Sequence, residues 1–409
     1  MPSTIKETLA TPVKFSYSVC VCGGGVAGIA AAISAARAQK ALGKNVSVVL
    51  IEKGFILGGL ATAGLVTIYL PICDGYGKQV CYGLGEELLK LSIEHGAEDM
   101  YPSAWLDGDS EEKRIEKRFM VQFNAQFFAL SAEKLLLDEG VKILYGATVA
   151  GVVSEQNNKI THIIIEGKSG REAISINTVV DATGDADVCK LAGAKTEKFA
   201  EGNKLAAWYY GYGNGKVNLY MCGVHDTPDT TENTDLKDTR RFSGLDTAEL
   251  SELTCISHKE LTHNILERKK TIPDLVPVTI STTPEVRMTR RLSGKYTQDA
   301  SEFDATYSDS VGSFPNWRKR GPVYELPFGS LYGKEVKNLI TAGRCISVTD
   351  TMWDITRVIP VCAVSGEAAG AAAAMFDNFD NADLKKLQSY LSDVGVIIHP
   401  KRNDTWKRK

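Results

Sequence analysis

The sequence predicts an α/β fold: a parallel sheet with a β-meander, assembled from discontinuous segments, beside a second, α+β unit. Three observations carry this reading. The apolar run Tyr17–Cys22 breaks into Gly23-Gly24-Gly25 and then into an alanine-rich helix from Val26 toward Lys40. A second apolar run, Val46–Glu52, follows that helix. Far downstream, the short apolar stretch Leu339–Thr341 is followed by a further small-residue helix, from about Ile359 to Phe376. Apolar runs alternating with helices are the pattern of a parallel sheet buried on both faces.

The glycines at the first junction need a physical reason, because glycine loses the most conformational freedom on folding. In Gly23-x-Gly25-x-x-Gly28, the first permits a tight turn and the second leaves bare backbone for a pyrophosphate. Gly28 lets the helix lie close to the strand. Val26 and Ala27 open that helix, whose unpaired N–H groups and positive dipole end favour phosphate. Glu52 ends the second strand 24 residues beyond Gly28, where an acid can accept hydrogen bonds from ribose hydroxyls. Strand, turn, helix, strand and acid in this order make a dinucleotide-binding βαβ unit.

Bulk properties bound the remainder. The 409 residues are 44% hydrophobic and 24% charged, enough for a large core and two domains. A net charge of -3 lacks the basic excess of a nucleic-acid binder. No apolar run reaches the ~18 residues of a membrane span, and the N-terminus lacks a secretory pattern. A cytoplasmic protein is the simplest expectation. The nine cysteines contain no CxxC and the six histidines no pair at ligand spacing, which argues against a zinc or iron–sulfur site. Cys20 and Cys22 share a strand face and read as small buried hydrophobes, whereas Cys73 and Cys81 read as thiols of a glycine-rich loop.

Three further segments specify the dinucleotide. After Glu52, Lys53 leads into a loop where Gly58, Gly59, Leu60 and Ala61 offer nearly bare backbone. It resembles the flavin-edge loop of FAD-containing oxidoreductases of the glutathione-reductase and fumarate-reductase type. A helix from about Val121 to Glu139 precedes three alternating strands, the last running into Ala182-Thr183-Gly184-Asp185. These resemble that group's β-meander and second flavin-contact strand, which implies Thr148 and Val149 against the adenine and 182–185 near the pyrophosphate. Leu339–Thr341 ends at Ala342-Gly343-Arg344, and Arg357-Val358 lead into the last helix, with Pro360 in its first turn. Gly366 and Gly370, four apart, suit close packing.

With "PEVRMTRRLSGKY" and "VYELPFGSLYGKEVKNL", these segments make the chain similar, over nearly its full length, to the FAD-dependent oxidoreductases with an AGRCIS … RVxP signature. Phe328-Gly329 stands where that family usually has Tyr-Arg. The resemblance implies a Rossmann-like FAD domain from about 15–80, 120–195 and 335–380, and a substrate or cap domain at 196–334. A loop–helix insertion at 81–119 is expected near the active site. It also implies a helix N-terminus aimed at the flavin's pyrimidine edge, supporting negative charge on the reduced ring. No histidine or cysteine stands out beside the flavin loops, so non-covalent FAD is expected.

The expected activity is hydride transfer between flavin N5 and a small polar substrate, with carboxylic acids among the candidates. Arg357 is the first candidate beside the flavin. Arg287 and Arg291 are equally balanced between gripping a carboxylate and forming salt bridges, and 318–320 reads as surface charge. His225, His258 and His263 are weaker candidates for proton transfer. An alcohol or sugar dehydrogenase is the alternative, suited to the aromatic stretch "WYYGYG"; a structural or assembly flavoprotein is the non-enzymatic one. A single dinucleotide motif implies an electron acceptor or donor that diffuses in, its identity open, as is the oligomeric state.

Overall fold

Seven strands form the main sheet: β1 (Val13–Cys22), β2 (Val48–Glu52), β3 (Lys142–Tyr145), β4 (Thr148–Ser154), β5 (Ile160–Gly167), β6 (Gly170–Asp181) and β7 (Leu339–Thr341). Their order is β3-β2-β1-β6-β5-β4, with β7 also paired to β6. The computed structural model of the chain describes residues 4–94, 105, 111–116, 120–155, 158–223 and 240–401. β1, β2, β3, β6 and β7 pair in parallel, whereas β4, β5 and β6 form an antiparallel meander. The twelve-residue β6 holds β5 along its first half and β7 along Val179–Asp181, so one strand joins the meander to the parallel core.

Alternation along the central strands explains their apolar runs. Val19, Val21, Val48, Leu50 and Val180 face one hydrophobic core, while Cys20, Cys22, Val49, Ile51 and Val179 face another. Both faces are covered, so neither can be polar. Cys73 and Cys81 are also fully buried, and burial pushes the Cys81 thiol up; they are core residues rather than solvated loop thiols.

The first core lies under a helix layer of α1 (Val26–Ala41), α2 (Leu84–Ile93), α3 (Ala125–Asp138) and, near the C-terminus, the long helix Ile359–Met375. That helix touches α1 backbone to backbone. A Cβ on Gly366 would stand 2.3 Å from the Ala27 carbonyl oxygen, and one on Gly370 2.1 Å from that of Ala31. Any side chain there would force the two helices apart. α2 turns the apolar residues Leu84, Leu88, Leu89 and Ile93 into this core. The described part of 81–119 therefore joins the helix layer instead of the cavity described below.

A smaller unit forms its own core. Strands Ala207–Gly213, Lys216–Cys222 and Val276–Ile280 make an antiparallel sheet against α4 (Thr247–Lys269). Asn214 and Gly215, at φ 53° and 77°, form the turn between the first two strands, the positive-φ pair that a two-residue hairpin favours. The sequence reading extends this unit to 334, but 310–332 departs from it. Val311, Phe314, Tyr324, Leu326, Phe328 and Leu331 belong to the first core, under the C-terminal helix. Phe328 packs on Tyr332 and Phe379, so the Phe-Gly departure from the family pattern is internal. Among the described residues, no single helix is long and apolar enough to cross a membrane.

Candidate active site

The C-terminal ends of β1, β2, β6 and β7 open onto a cavity of about 480 Å³. Its floor is the glycine turn. Gly23 at φ 105° brings its backbone against Ala182, where a Cβ would stand 2.5 Å from the carbonyl oxygen. Gly28 lies behind the wall and holds the turn onto the helix, because a Cβ there would meet the Gly23 oxygen at 1.8 Å. Gly25 differs from both: a Cβ on it would meet no protein atom within 4 Å and would stand in open space on the cavity side. It is also the N-cap of α1 and offers no capping side chain, so the first-turn N–H groups are left to the cavity.

The opposite lip is laced to this turn. The Gly58 N–H donates to the Gly24 oxygen at 2.8 Å, and Gly59 lies close enough that a Cβ would come within 3.3 Å of the Gly25 Cα. Leu60 and Ala61 continue the lip. At one end, Glu52 accepts from Gly24 N at 2.8 Å through Oε2 and from Gly54 N at 2.7 Å through Oε1. Each carboxylate oxygen is thereby fixed and keeps a further lone pair for a ligand. Lys53, Thr148 and Val149 line the same end.

The stretch 182–185 closes a third side. Buried Asp181 holds it by accepting from Thr183 Oγ1 at 2.6 Å and from Cys189 N at 2.9 Å. Ala182, Thr183, Gly184 and Asp185 all line the cavity. Arg344 crosses beside them and donates to the carbonyls of Val286 and Arg287 at 3.0 and 2.9 Å. A Cβ on Gly184 would strike its guanidinium at 2.3 Å. Arg344 thus braces the main sheet against the smaller unit. A concave site with a bare helix N-terminus, an open glycine and an oriented acid fits a dinucleotide.

At the far end, α5 (Asp350–Thr356) leads through Arg357 and Val358 into α6 (Ile359–Met375). Arg357, Ile359 and Cys362 line the cavity there, while Gly343, Val358 and Pro360 stand just behind its wall. The α6 N-cap, Val358, supplies no side-chain acceptor. Cys362 is a site residue that sequence reasoning missed. Burial pushes its thiol up to about 11, against the pull of Arg344 and Arg357, so it stays protonated near neutrality.

The other two arginines are elsewhere. Arg287 is buried against Glu285 at 3.2 Å and lies over the Trp208 ring at 5.0 Å. Arg291 pairs with Asp350 at 2.7 Å and lies over Trp353 at 4.8 Å. The structure gives both the salt-bridge arrangement and neither a place on the cavity wall. His258 and His263 are exposed on α4, and His225 is outside the described residues. The aromatic stretch is likewise turned away: Tyr209 stacks on Tyr220 at 5.0 Å, and Tyr210 Oη bonds to Thr67 Oγ1 at 2.5 Å.

The smaller unit contributes a further wall, Gly244, Leu250, Thr282, Thr283, Pro284 and Val286, of which Pro284 and Val286 open the PEVRMTRRLSGKY segment and the others lie in no motif. Thr282 N donates to the Ala63 oxygen at 2.8 Å, seating this wall on the glycine-rich lip.

A search of curated proteins finds no match. Among solved structures, the chain is similar to a geranylgeranyl bacteriochlorophyll reductase-like protein from Thermoplasma acidophilum, at 13% identity over 94% of this chain and 85% of that one, with TM-score 0.48. It is also similar to p-nitrophenol 4-monooxygenase PnpA from Pseudomonas putida DLL-E4, at 11% identity, 97% and 92% coverage and TM-score 0.46. The family model described as FAD dependent oxidoreductase matches residues 18–207 and 201–389, nearly the whole chain, and the protein belongs to that family of FAD-dependent oxidoreductase enzymes.

Proposed function

We propose that this enzyme moves a hydride between a small carboxylate-bearing substrate and non-covalently held FAD, with a diffusible partner completing the electron transfer. When bound, FAD supplies the hydride chemistry at N5. The α1 N-terminus and the backbone of 23–25 and 58–59 would hold its diphosphate. Glu52 would take the ribose hydroxyls, and Thr148 and Val149 would border the adenine. The α6 N-terminus and Arg357 then face the far, ring-bearing end, where their positive ends favour anions. The observation that carries the substrate reading is the makeup of the wall at 244–286, which has two threonine hydroxyls and no ionisable side chain. Among the described lining cations, Lys53 lies at the Glu52 end and Arg344 is held by the Val286 and Arg287 carbonyls. Arg357, paired with Asp354 beside the α6 N-terminus, is therefore the one assigned to a carboxylate; Thr282 and Thr283 can hydrogen-bond a polar substituent.

The polyol alternative loses its motive, since the aromatic stretch is turned away from the cavity. The test is anaerobic bleaching of the yellow holoenzyme with a panel of hydroxy acids, amino acids and polyols. Bleaching by acids, weakened in Arg357→Met, is the expected result; bleaching by polyols alone would overturn the carboxylate assignment.

A further inference from the structure

The turn at 316–322 reaches the cavity wall through a chain of charge. Arg357 donates from Nη2 to Asp354 Oδ1 at 2.7 Å. The same oxygen accepts from Arg318 Nη2 at 3.2 Å, and Asp354 Oδ2 accepts from Arg318 Nε. The Arg357 and Asp354 side chains are each 9% exposed, whereas Arg318 is 36% exposed. Arg318 lies over the Trp317 ring at 4.1 Å, and Trp317 Nε1 donates to the Asp354 carbonyl at 2.9 Å. Asn316 Oδ1 fixes the turn by accepting from the N–H groups of Arg318 and Lys319, both at 2.9 Å. Arg318 is therefore an anchored charge instead of the loose surface charge its basic neighbours suggest.

We propose that Asp354 and Arg318 are positioning residues that set the field Arg357 presents to reduced flavin. This rests on the reading that Arg357 faces the ring-bearing end of FAD. Asp354 orients the Arg357 guanidinium, and its negative charge offsets part of that cation's pull on an anion. Arg318, behind it, offsets Asp354 in turn. Charges at these separations interact strongly where little water intervenes, and weaken as one becomes exposed. Asp354→Asn keeps an acceptor for Arg357 but removes the negative charge, so reduced flavin is stabilised. Arg318→Met keeps the stem over Trp317 but removes the positive charge, so reduced flavin is destabilised. Simple loosening of the site would send both variants the same way.

The test measures the midpoint potential of bound flavin in the holoenzyme by dye equilibration, with FAD content and melting temperature as controls. The expected result is a rise in Asp354→Asn, a fall in Arg318→Met and a near-native value in Arg318→Lys. Each shift should change the ratio of affinities for reduced and oxidised flavin several-fold. Arg357→Met separates the two levels of inference. An unchanged potential in that variant overturns the placement of Arg357 beside the flavin. A fall there, with Asp354→Asn and Arg318→Met moving in one direction or not at all, overturns the positioning roles alone. Should Asp354→Asn fail to retain FAD, the Arg318 pair decides: a fall reversed by lysine supports the proposal, and no fall overturns it.

Discussion

The two sides of the cavity are built by different means. On the sheet side the wall is mostly main chain, at Gly23, Gly25, Gly58, Gly59 and Gly184. On the side of the smaller unit it is side chains, from Leu250 through Thr282 and Thr283 to Val286. A main-chain wall demands glycine wherever backbone must approach a ligand or another backbone. A side-chain wall needs only suitable size and polarity at each point. The first kind of construction leaves a glycine motif, and the second leaves none at Leu250, Thr282 or Thr283. The glycine-built side can therefore be read ahead of the structure, whereas the side-chain wall emerges only from the folded chain.

The sharpest way to break this contrast is at two glycines of the same motif, Gly28 within α1 and Gly25 at its N-cap. Gly28→Val should abolish folded, yellow protein, because its Cβ has no room beside the Gly23 oxygen. Gly25→Val should fold with a nearly native melting temperature and yet lose about a hundredfold in FAD affinity, about 2.7 kcal/mol, since its side chain meets only cavity. Flavin titration beside thermal melting checks both. Equal loss of stability in the two variants would show that Gly25 is structural.

In the smaller unit, Arg287→Ala should cost about 3 kcal/mol of stability in denaturant unfolding, by taking a cation from the buried Glu285 carboxylate. FAD affinity should hardly change. A specific loss of substrate affinity without loss of stability would return Arg287 to the site.

A pH effect should come from Glu367, on α6 behind the cavity. Burial, aided by Glu87 and opposed by the Leu84 N–H and Arg37, pushes its carboxyl up to about 8. The folded chain keeps a proton here that the unfolded chain gives up above about pH 4.5. Its contribution is thus fully present below about pH 4.5, is lost as pH rises to about 8, and is constant beyond. Glu367→Gln should flatten that part of the stability profile and gain stability at pH 8. The smallest effect is expected at the side-chain wall. Thr283→Ala should raise the substrate KM several-fold, at most about 1.5 kcal/mol, with the FAD dissociation constant unchanged.

Legibility follows the same division. The βαβ unit, the 182–185 turn and the close-packed Gly366 and Gly370 were all visible, because each demands small residues at fixed spacing. Asp181 and Arg344 also sat inside visible motifs, although what they brace appears only when distant segments meet. Arg287 and Arg291 show the limit. Arginine serves a carboxylate ligand and a buried ion pair through the same fork, and local sequence contains nothing that separates the two. Thr282, Thr283 and Cys362 gave no signal, since their importance comes from segments far apart in the chain.

The backbone contact between α1 and α6 has a mechanical consequence. These helices aim their leading ends at opposite stretches of the cofactor cavity, and the clamp at Gly366 and Gly370 leaves no soft side-chain layer between them in which to slide. They act as the fixed jaws of a caliper whose gauge is set when the chain folds.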